Sequence, residues 1–527
     1  MKTGALQVLQ TRHKKAFFQI YRGILFVYPF WGGLLQNVPC FVSGLIHLFF
    51  ILAFIISEKR RIDCFNVNKT IILPFFVFVI FASLTIIWGI DRWESIRGIL
   101  RIASLTFFYI LWLMFSEEER QRLWMDIPVA GIVSVLIGLI AYLVNPLRLW
   151  FWEGHALTGG FGYANTYAVF LLCGLLIVYG NKKGIKKSLF RTVLIFGIII
   201  SGCRSVMLLC IIVSAFVFLG RKSLLLIVPL LGIAVYYFYA ANKLGTFYGR
   251  ILYWKDAIRI LLRFPFGLGY QGWNYLQGVI QHGVYHVRFI HNDLLQLLVD
   301  YGIVAGVAVI YLIVYLWNHD GTEKLVCIVL LFHTLFDFDL QFQYMLILLT
   351  MGLTKGCIVY SGGNGKFRHL FAVLFSITSV IYTIFVCADS FFIGVTWNTE
   401  KTVNDMLKCQ DIVAAASLSD TILAHNSYIS VAWRVKGEYE FTLNDYDGMC
   451  RSMHQYVAIE KYQQEAYEAY WNMLVDAVEE GMDISDAERE TEWLRALQET
   501  VINQTDSLAW QIKDKPELKP VLNLSLY

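Results

Sequence analysis

Between residues 22 and 392 the chain alternates apolar stretches with short polar connections, and about thirteen stretches approach the roughly 20 residues that a helix needs to cross a bilayer core. They lie at 22–37, 39–57, 71–90, 98–116, 126–144, 161–180, 189–202, 205–220, 224–241, 293–317, 323–339, 343–360 and 370–392. In lipid a backbone must satisfy its own hydrogen bonds, so a series of this kind folds as packed α-helices. The expected fold class is all-α, a polytopic membrane bundle of about 12–13 transmembrane helices. Composition agrees: the chain is 57% hydrophobic and 16% charged, where a soluble domain carries about 25% charged residues. Residues 1–22 are basic and polar, so the first apolar run reads as a retained anchor, not a cleaved leader.

Orientation follows from the basic residues of the short connections. Lys59-Arg60-Arg61, Arg120 with Arg122, Lys182-Lys183 with Lys186-Lys187, Arg221-Lys222, and Lys366 with Arg368 fall on alternate connections, together with the N-terminus. That set, including residues 1–21, is expected in the cytoplasm. The connections at 91–97, 145–160, 242–291 and 338–343 then face outward, and thirteen spans place the tail from 393 outside as well. Residues 22–392 thus form the expected membrane domain and 393–527 a soluble helical tail. The long connection 242–291 carries Ile251, Leu252, Ile258, Leu261 and Leu262 at helical spacing, which predicts a surface helix over 248–263. Pro265, Gly267 and Gly269 end it. The tail is polar and helical in period. Its tyrosines and small residues suggest helix pairs repeating at about 34 residues, a weak likeness to tetratricopeptide repeats.

Ionisable residues at span ends are costly in lipid and therefore functional suspects. Arg204 sits between two short apolar segments, where its five fixed donors suit a diphosphate at the membrane surface; snorkelling at a helix end explains it equally well. Arg250 begins the predicted surface helix, whose N-terminus would add attraction for anions. Arg259 and Arg263 lie farther along and suit anionic lipid headgroups. His291-Asn292 opens the tenth span, where an imidazole can take a proton from a sugar hydroxyl. Asp300 follows in the same helix, then Gly302 and Gly306, which allow close helix packing. Asn165 enters the sixth span as a polar group in need of a partner.

Two metal readings compete. His282, His286 and His291 have spacing compatible with zinc, and Asp337-Phe338-Asp339 has the form of an acidic pair that holds a divalent cation, as do Asp91 and Glu94 more weakly. The ten cysteines show no C-x-x-C pair. Most lie in apolar runs as small hydrophobes, while Cys409 and Cys450 in the tail are free to pair if their geometry allows. No phosphate-binding loop or dinucleotide fingerprint is present, and no cytoplasmic segment is large enough for a nucleotide-sugar site. A sugar donor would therefore be lipid-linked.

Five segments in order resemble the O-antigen ligase and O-antigen polymerase superfamily, over roughly residues 20–360. Thr158-Gly159-Gly160-Phe161-Gly162-Tyr163-Ala164-Asn165 is similar to its G-x-F-x-x-x-N segment, and Arg204 with Leu208 to its R-x-x-x-L. The stretch from Arg250 through Trp254 and Pro265 to Gly269 resembles the segment before the catalytic region. His291-Asn292 followed by Gly302 matches most of H-[N/S/Q]-x9-G-x-x-[G/T/Y], with Ala305 departing at the last position and Gly306 next to it. His333 and Asp337 resemble a His-x-x-x-Asp segment. The resemblance implies a membrane glycosyltransferase of the GT-C type, inverting and metal-independent, with no cofactor. Its donor would be an undecaprenyl diphosphate-linked glycan, and its acceptor a glycan or lipid at the outer face of the bacterial cytoplasmic membrane. Arg204 and Arg250 would hold the diphosphate and His291 would act on the acceptor hydroxyl. Asn165, Asn292, Arg288 and Arg101 are expected to line the substrate. Membrane lipids are partners, nucleic acid is not, and the tail offers a surface for another envelope protein. A polymerase of lipid-linked repeat units is the nearest alternative. A lipid-linked glycan transporter is a second, which predicts charges lining mid-membrane depth on many spans. A non-catalytic scaffold is a third, in which replacing Arg204, Arg250 or His291 costs nothing.

Overall fold

The computed structural model describes residues 2–58, 69–180, 187–223, 232, 245–318, 323–355, 365–389, 399–509 and 518. The expected span at 224–241 lies outside these, apart from Gly232. In chain order the helices are α1 (Lys2–Val27), α2 (Asn37–Glu58), α3 (Lys69–Trp88), α4 (Arg92–Met114), α5 (Glu117–Tyr142), α6 (Asn145–Phe151), α7 (Ala164–Gly180), α8 (Lys187–Ile200), α9 (Arg204–Leu219) and α10 (Gly245–Arg263). There follow α11 (Gly272–Ile280), α12 (Asp293–Trp317), α13 (Lys324–His333), α14 (Gln343–Thr354), α15 (Gly365–Cys387), α16 (Thr399–Lys408), α17 (Ile412–His425), α18 (Ser430–Thr442), α19 (Tyr446–Ile459), α20 (Gln464–Glu479) and α21 (Ile484–Gln504). The fold is all-α. Among the described residues, one two-stranded hairpin, Trp152–Glu153 with Ala156–Leu157, is the exception.

Among the described residues, helices α4, α5, α12 and, over Asn37–Ile56, α2 are long and apolar enough to cross a membrane, and seven shorter apolar helices accompany them between α3 and α15. Large apolar side chains point outward from them, among them Leu73 and Ile87 on α3, Ile140 on α5, Phe218 on α9 and Ile384 on α15. Water would not tolerate that surface, and lipid does. The chain is a membrane protein.

At the centre of the bundle α7 is buried continuously from Thr166 to Val178, as an all-round apolar helix must be. It packs against α5, α8, α9 and α13. A second group joins α2, α3 and α4, with α12 against α3 and α14 against α4. The first span differs from expectation. Helix α1 ends at Val27, and Pro29 with Gly32 (φ 64°) and Gly33 (φ 55°) turns the chain through two short 3-10 helices before α2. The span expected at 323–339 ends early as well: α13 stops at His333, and residues 334–342 form a tight turn into α14.

Helix α12 is interrupted at Gly302 (φ 86°), a conformation that suits glycine. The chain after α10 fills the break. Leu268 N and Gly269 N donate to Val299 O (2.8 Å) and Asp300 O (2.9 Å), and Ile303 N donates to Pro265 O (2.9 Å). A Cβ on Gly302 would sit 2.6 Å from the Phe266 carbonyl carbon. Backbone groups freed at bundle depth are thus satisfied by a second segment buried in protein.

Helices α16 to α21 pack each on the next, as in stacked helical repeats. Their N-termini at α17, α19, α20's neighbour α21 are capped by Asp411, Asp445 and Asp483. Cys409 and Cys450 are both free thiols. The tail meets the connections 91–97 and 242–291 directly. Asp91 accepts from Thr399 Oγ1 (2.6 Å) and Asn426 Nδ2 (3.2 Å), and Lys461 Nζ donates to Val279 O (2.7 Å). The tail and these two connections therefore lie on one side of the bundle.

Candidate active site

The turn between α13 and α14 carries two carboxylates, and each gathers a separate set of donors. Asp337 is fully buried. Its oxygens accept from His291 Nδ1 (3.2 Å), the Arg250 guanidinium (3.2 Å), Asn165 Nδ2 (2.7 Å) and Tyr163 Oη (3.0 Å). Burial on its own opposes ionisation of this group. The His291 hydrogen bond and the Arg250 charge outweigh it and hold the carboxyl below the usual carboxylate range.

Asp339 is the second. It accepts from His333 Nδ1 (2.6 Å) and Thr166 Oγ1 (2.8 Å), and the far nitrogen of His333 lies 3.4 Å from Ser205 Oγ. Asn165 and Thr166 are consecutive, so the first turn of α7 holds both carboxylates at once. Ser205 follows Arg204, which opens α9 after the Gly202 turn (φ 69°). Arg204 is exposed and makes no ion pair among the described residues. His333, Ser205 and Asp339 thus bring the start of α9 to the turn that also holds Asp337.

His291 adopts a left-handed backbone (φ 54°), an uncommon and strained state for a side chain with a Cβ. The surroundings enforce it. Trp254 Nε1 donates to His291 O (3.3 Å), Ile290 N donates to Gln296 Oε1 (3.0 Å), and Asn292 caps α12 by accepting from Leu295 N (2.9 Å). The imidazole meets Phe338 edge-on at 4.9 Å and faces Tyr253 at 6.1 Å. Arg250 lies in the second turn of α10, because that helix begins at Gly245. It is thus away from the helix N-terminus that the sequence suggested would assist it. A single nitrogen of Arg250 contacts Asp337, and the rest of the fork is unpaired among the described residues.

The other expected site residues take different places. The Asn292 amide donates to Leu335 O (2.9 Å), so this residue ties α12 to the Asp337 turn as well as capping the helix. Arg288 is exposed, donates to Gln271 Oε1 (3.3 Å) and lies 5.5 Å from the Phe289 ring. Arg101 is buried in α4, where Leu35 O (2.9 Å) and Gln341 O hold it, 5.6 Å from the Tyr270 ring. Neither contacts Asp337. Arg101 instead walls an apolar cavity of about 640 Å³ between α3, α4, α12, α13 and α14. Leu335, Leu340 and Gln341 of the same turn close its upper end, and Leu316 and Thr354 lie at the other.

The metal spacings do not converge. His282 contacts Asp256 (2.8 Å), His286 is exposed, and His291 faces Asp337. Among the described residues no group of three His, Cys, Asp or Glu side chains is placed to hold a metal ion. Asp91 caps α4 and binds the tail, while Glu94 pairs with Arg97 (2.5 Å). Read locally, Asp337-Phe338-Asp339 suggests a cation pair, whereas in the fold His291 and His333 each take one of the two carboxylates. The spacing His333 to Asp337 was the one visible signal. Tyr163, Thr166 and Ser205 carried none beyond their adjacency to Asn165 and Arg204.

No curated protein matches the chain, and no solved structure does. Residues 189–310 match the family model Wzy_C, described as O-antigen ligase. The matched segment holds Arg204, Arg250 and His291 together with both helices of the long connection, and over that segment the chain is similar to the O-antigen ligase family.

Proposed function

We propose that the protein transfers a glycan from undecaprenyl diphosphate to an acceptor hydroxyl at the outer face of the bacterial cytoplasmic membrane, with inversion and without a metal. The similarity of residues 189–310 to the O-antigen ligase family supports an enzyme of the ligase or polymerase type acting on lipid-linked glycan. The observation that carries the finer reading is Asp337, which holds an imidazole and a guanidinium 3.2 Å away on the same carboxylate. With Nδ1–H of His291 donating to Asp337, Nε2 keeps its lone pair and can take the acceptor proton. The acceptor oxygen then attacks the anomeric carbon. The carbon–oxygen bond to phosphate breaks, its electron pair leaves on the diphosphate, and Arg204 and Arg250 stabilise that charge. The cavity beside the same turn is apolar enough for part of an isoprenoid chain. The basic residues on the alternate connections support an outward-facing site. Residues 1–21, 22–392 and 393–527 would then be cytoplasmic start, membrane domain and outer helical tail.

The test is release of undecaprenyl diphosphate in proteoliposomes supplied with undecaprenyl diphosphate oligosaccharide, with or without a lipid A core acceptor. His291→Ala, Arg204→Ala and Arg250→Ala should each lower the rate at least about 100-fold while the protein stays folded. Full activity in all three removes the assignment. Turnover with the lipid-linked oligosaccharide alone would indicate a polymerase.

A further inference from the structure

Helix α10 and the loop 281–291 supply Arg250 and His291, yet neither belongs to the tightly packed centre of the bundle. Beyond their shared bonds to Asp337 and the Trp254 bond to His291 O, the two elements are tied together by a buried carboxylate six residues along α10 from Arg250. Asp256 is inaccessible and saturated. It accepts from His282 N (3.1 Å), His282 Nδ1 (2.8 Å), Tyr285 Oη (2.8 Å) and Arg259 (2.8 Å). Three of those four bonds come from the loop that ends at His291. Tyr285 then packs at a tilt against Tyr253, ring centroids 4.6 Å apart, and Tyr253 in turn packs at a tilt against the His291 ring.

The tail closes the same hub from the other side. Asp506 N donates to His282 O (2.8 Å), and the Asp506 carboxylate pairs with Lys255 (3.1 Å), the residue before Asp256. A Cβ on Gly283 would lie 2.7 Å from the Ala509 side chain, so the loop and the tail are in close contact there. None of these residues reaches Asp337. We propose that Asp256 is a positioning residue for glycan transfer, fixing Arg250 relative to His291, and that the C-terminal tail holds this hub in place through Asp506. The proposal rests on the catalytic reading of Arg250 and His291. Misplacing a reacting group by about 1 Å costs on the order of 100-fold in rate, so loosening the hub lowers kcat without removing a group that touches substrate.

The test uses the full-length protein in proteoliposomes with undecaprenyl diphosphate oligosaccharide, together with hydrogen exchange of the backbone. Asp256→Asn keeps the shape and removes the charge. It should lower kcat about 10- to 100-fold, leave the donor KM within about twofold, and speed exchange across 281–291. Lys255→Asp and Asp506→Lys should each lower kcat and loosen the same loop, and the double variant should recover most of both. Lys255 is exposed and neither residue is in the bundle core, so this pair keeps the question answerable if Asp256→Asn does not fold. Wild-type kcat in folded Asp256→Asn overturns the proposal, as does unchanged exchange at 281–291. A charge-swapped pair no better than its single variants overturns the role of the tail. If His291→Ala retains full rate, the catalytic reading has failed and the proposal falls with it; if His291→Ala is dead and Asp256→Asn is not, only the hub is wrong.

Discussion

Replacing Asp337 by Asn should cost more in rate than in stability. The carboxylate offers two oxygens to five donors: His291, Arg250, Asn165, Tyr163 and the Phe338 N–H. An asparagine offers one oxygen and an amide that itself donates. His291 must then compete with four other donors, or meet an N–H that favours the wrong tautomer. A hydrogen bond to a charged partner is worth about 1.5–3 kcal/mol. At about 1.36 kcal/mol per decade, loss of orientation alone lowers kcat roughly 10- to 150-fold. A wrong tautomer removes general-base help worth about 100- to 10,000-fold. Stability should fall by on the order of 2 kcal/mol, less than for a fully buried pair, because the Arg250 side chain is 22% accessible and regains water. Initial rates of undecaprenyl diphosphate release, beside thermal unfolding in detergent, separate the two effects. An Asp337→Asn protein within twofold of wild type in kcat would refute the assignment of Asp337 as the group that orients His291.

Three further outcomes follow from the geometry. Gly302→Ala puts a side chain at φ 86° and against the Phe266 backbone; it should destabilise the fold by about 1–3 kcal/mol, and an unchanged unfolding midpoint would show that the break in α12 is not fixed as described. Burial where Lys461 meets Val279 lowers that ammonium to about 8, so the docked tail binds fewer protons than a released one and docking should tighten as pH rises from about 8 to about 10.5, with no change below; limited proteolysis across that range would detect it, and the slope should vanish in Lys461→Met. Chelators should leave the rate unchanged, since Asp337 and Asp339 are engaged by His291, Arg250 and His333; a loss restored by one divalent cation would revive the acidic-pair reading.

The membrane class was readable because lipid imposes length and apolarity on each span separately, and both are local properties of sequence. The helix over 248–263 is readable for the same reason, since Ile251, Leu252, Ile258 and Leu261 repeat at helical spacing. Its start is not. Gly245 and Thr246 carry no distinctive capping signal, and the three-residue error moved Arg250 from a helix terminus into a second turn. The end of α13 at His333 was also misjudged, because Leu335, Phe336 and Phe338 extend the apolar run while the chain has already turned. Hydrophobicity reports burial, and a buried turn is as apolar as a span.

Asp337 was the residue whose role sequence could least disclose, for a related physical reason. Its partners lie 46, 87, 172 and 174 positions away, and no local periodicity links such distances. An Asp-x-Asp pair read by itself suggests a cation site because two carboxylates close together repel unless something positive lies between them. The fold supplies that positive charge from its own side chains. Residues 165 and 166 each bond one carboxylate, so the pair is split between two imidazoles and not shared by one ion. A site of this kind arises only when the first turns of α7, α9 and α12 and the second turn of α10 meet at one turn. The convergence of those four segments, more than any one motif, is what makes the turn at 333–339 the place to look for chemistry.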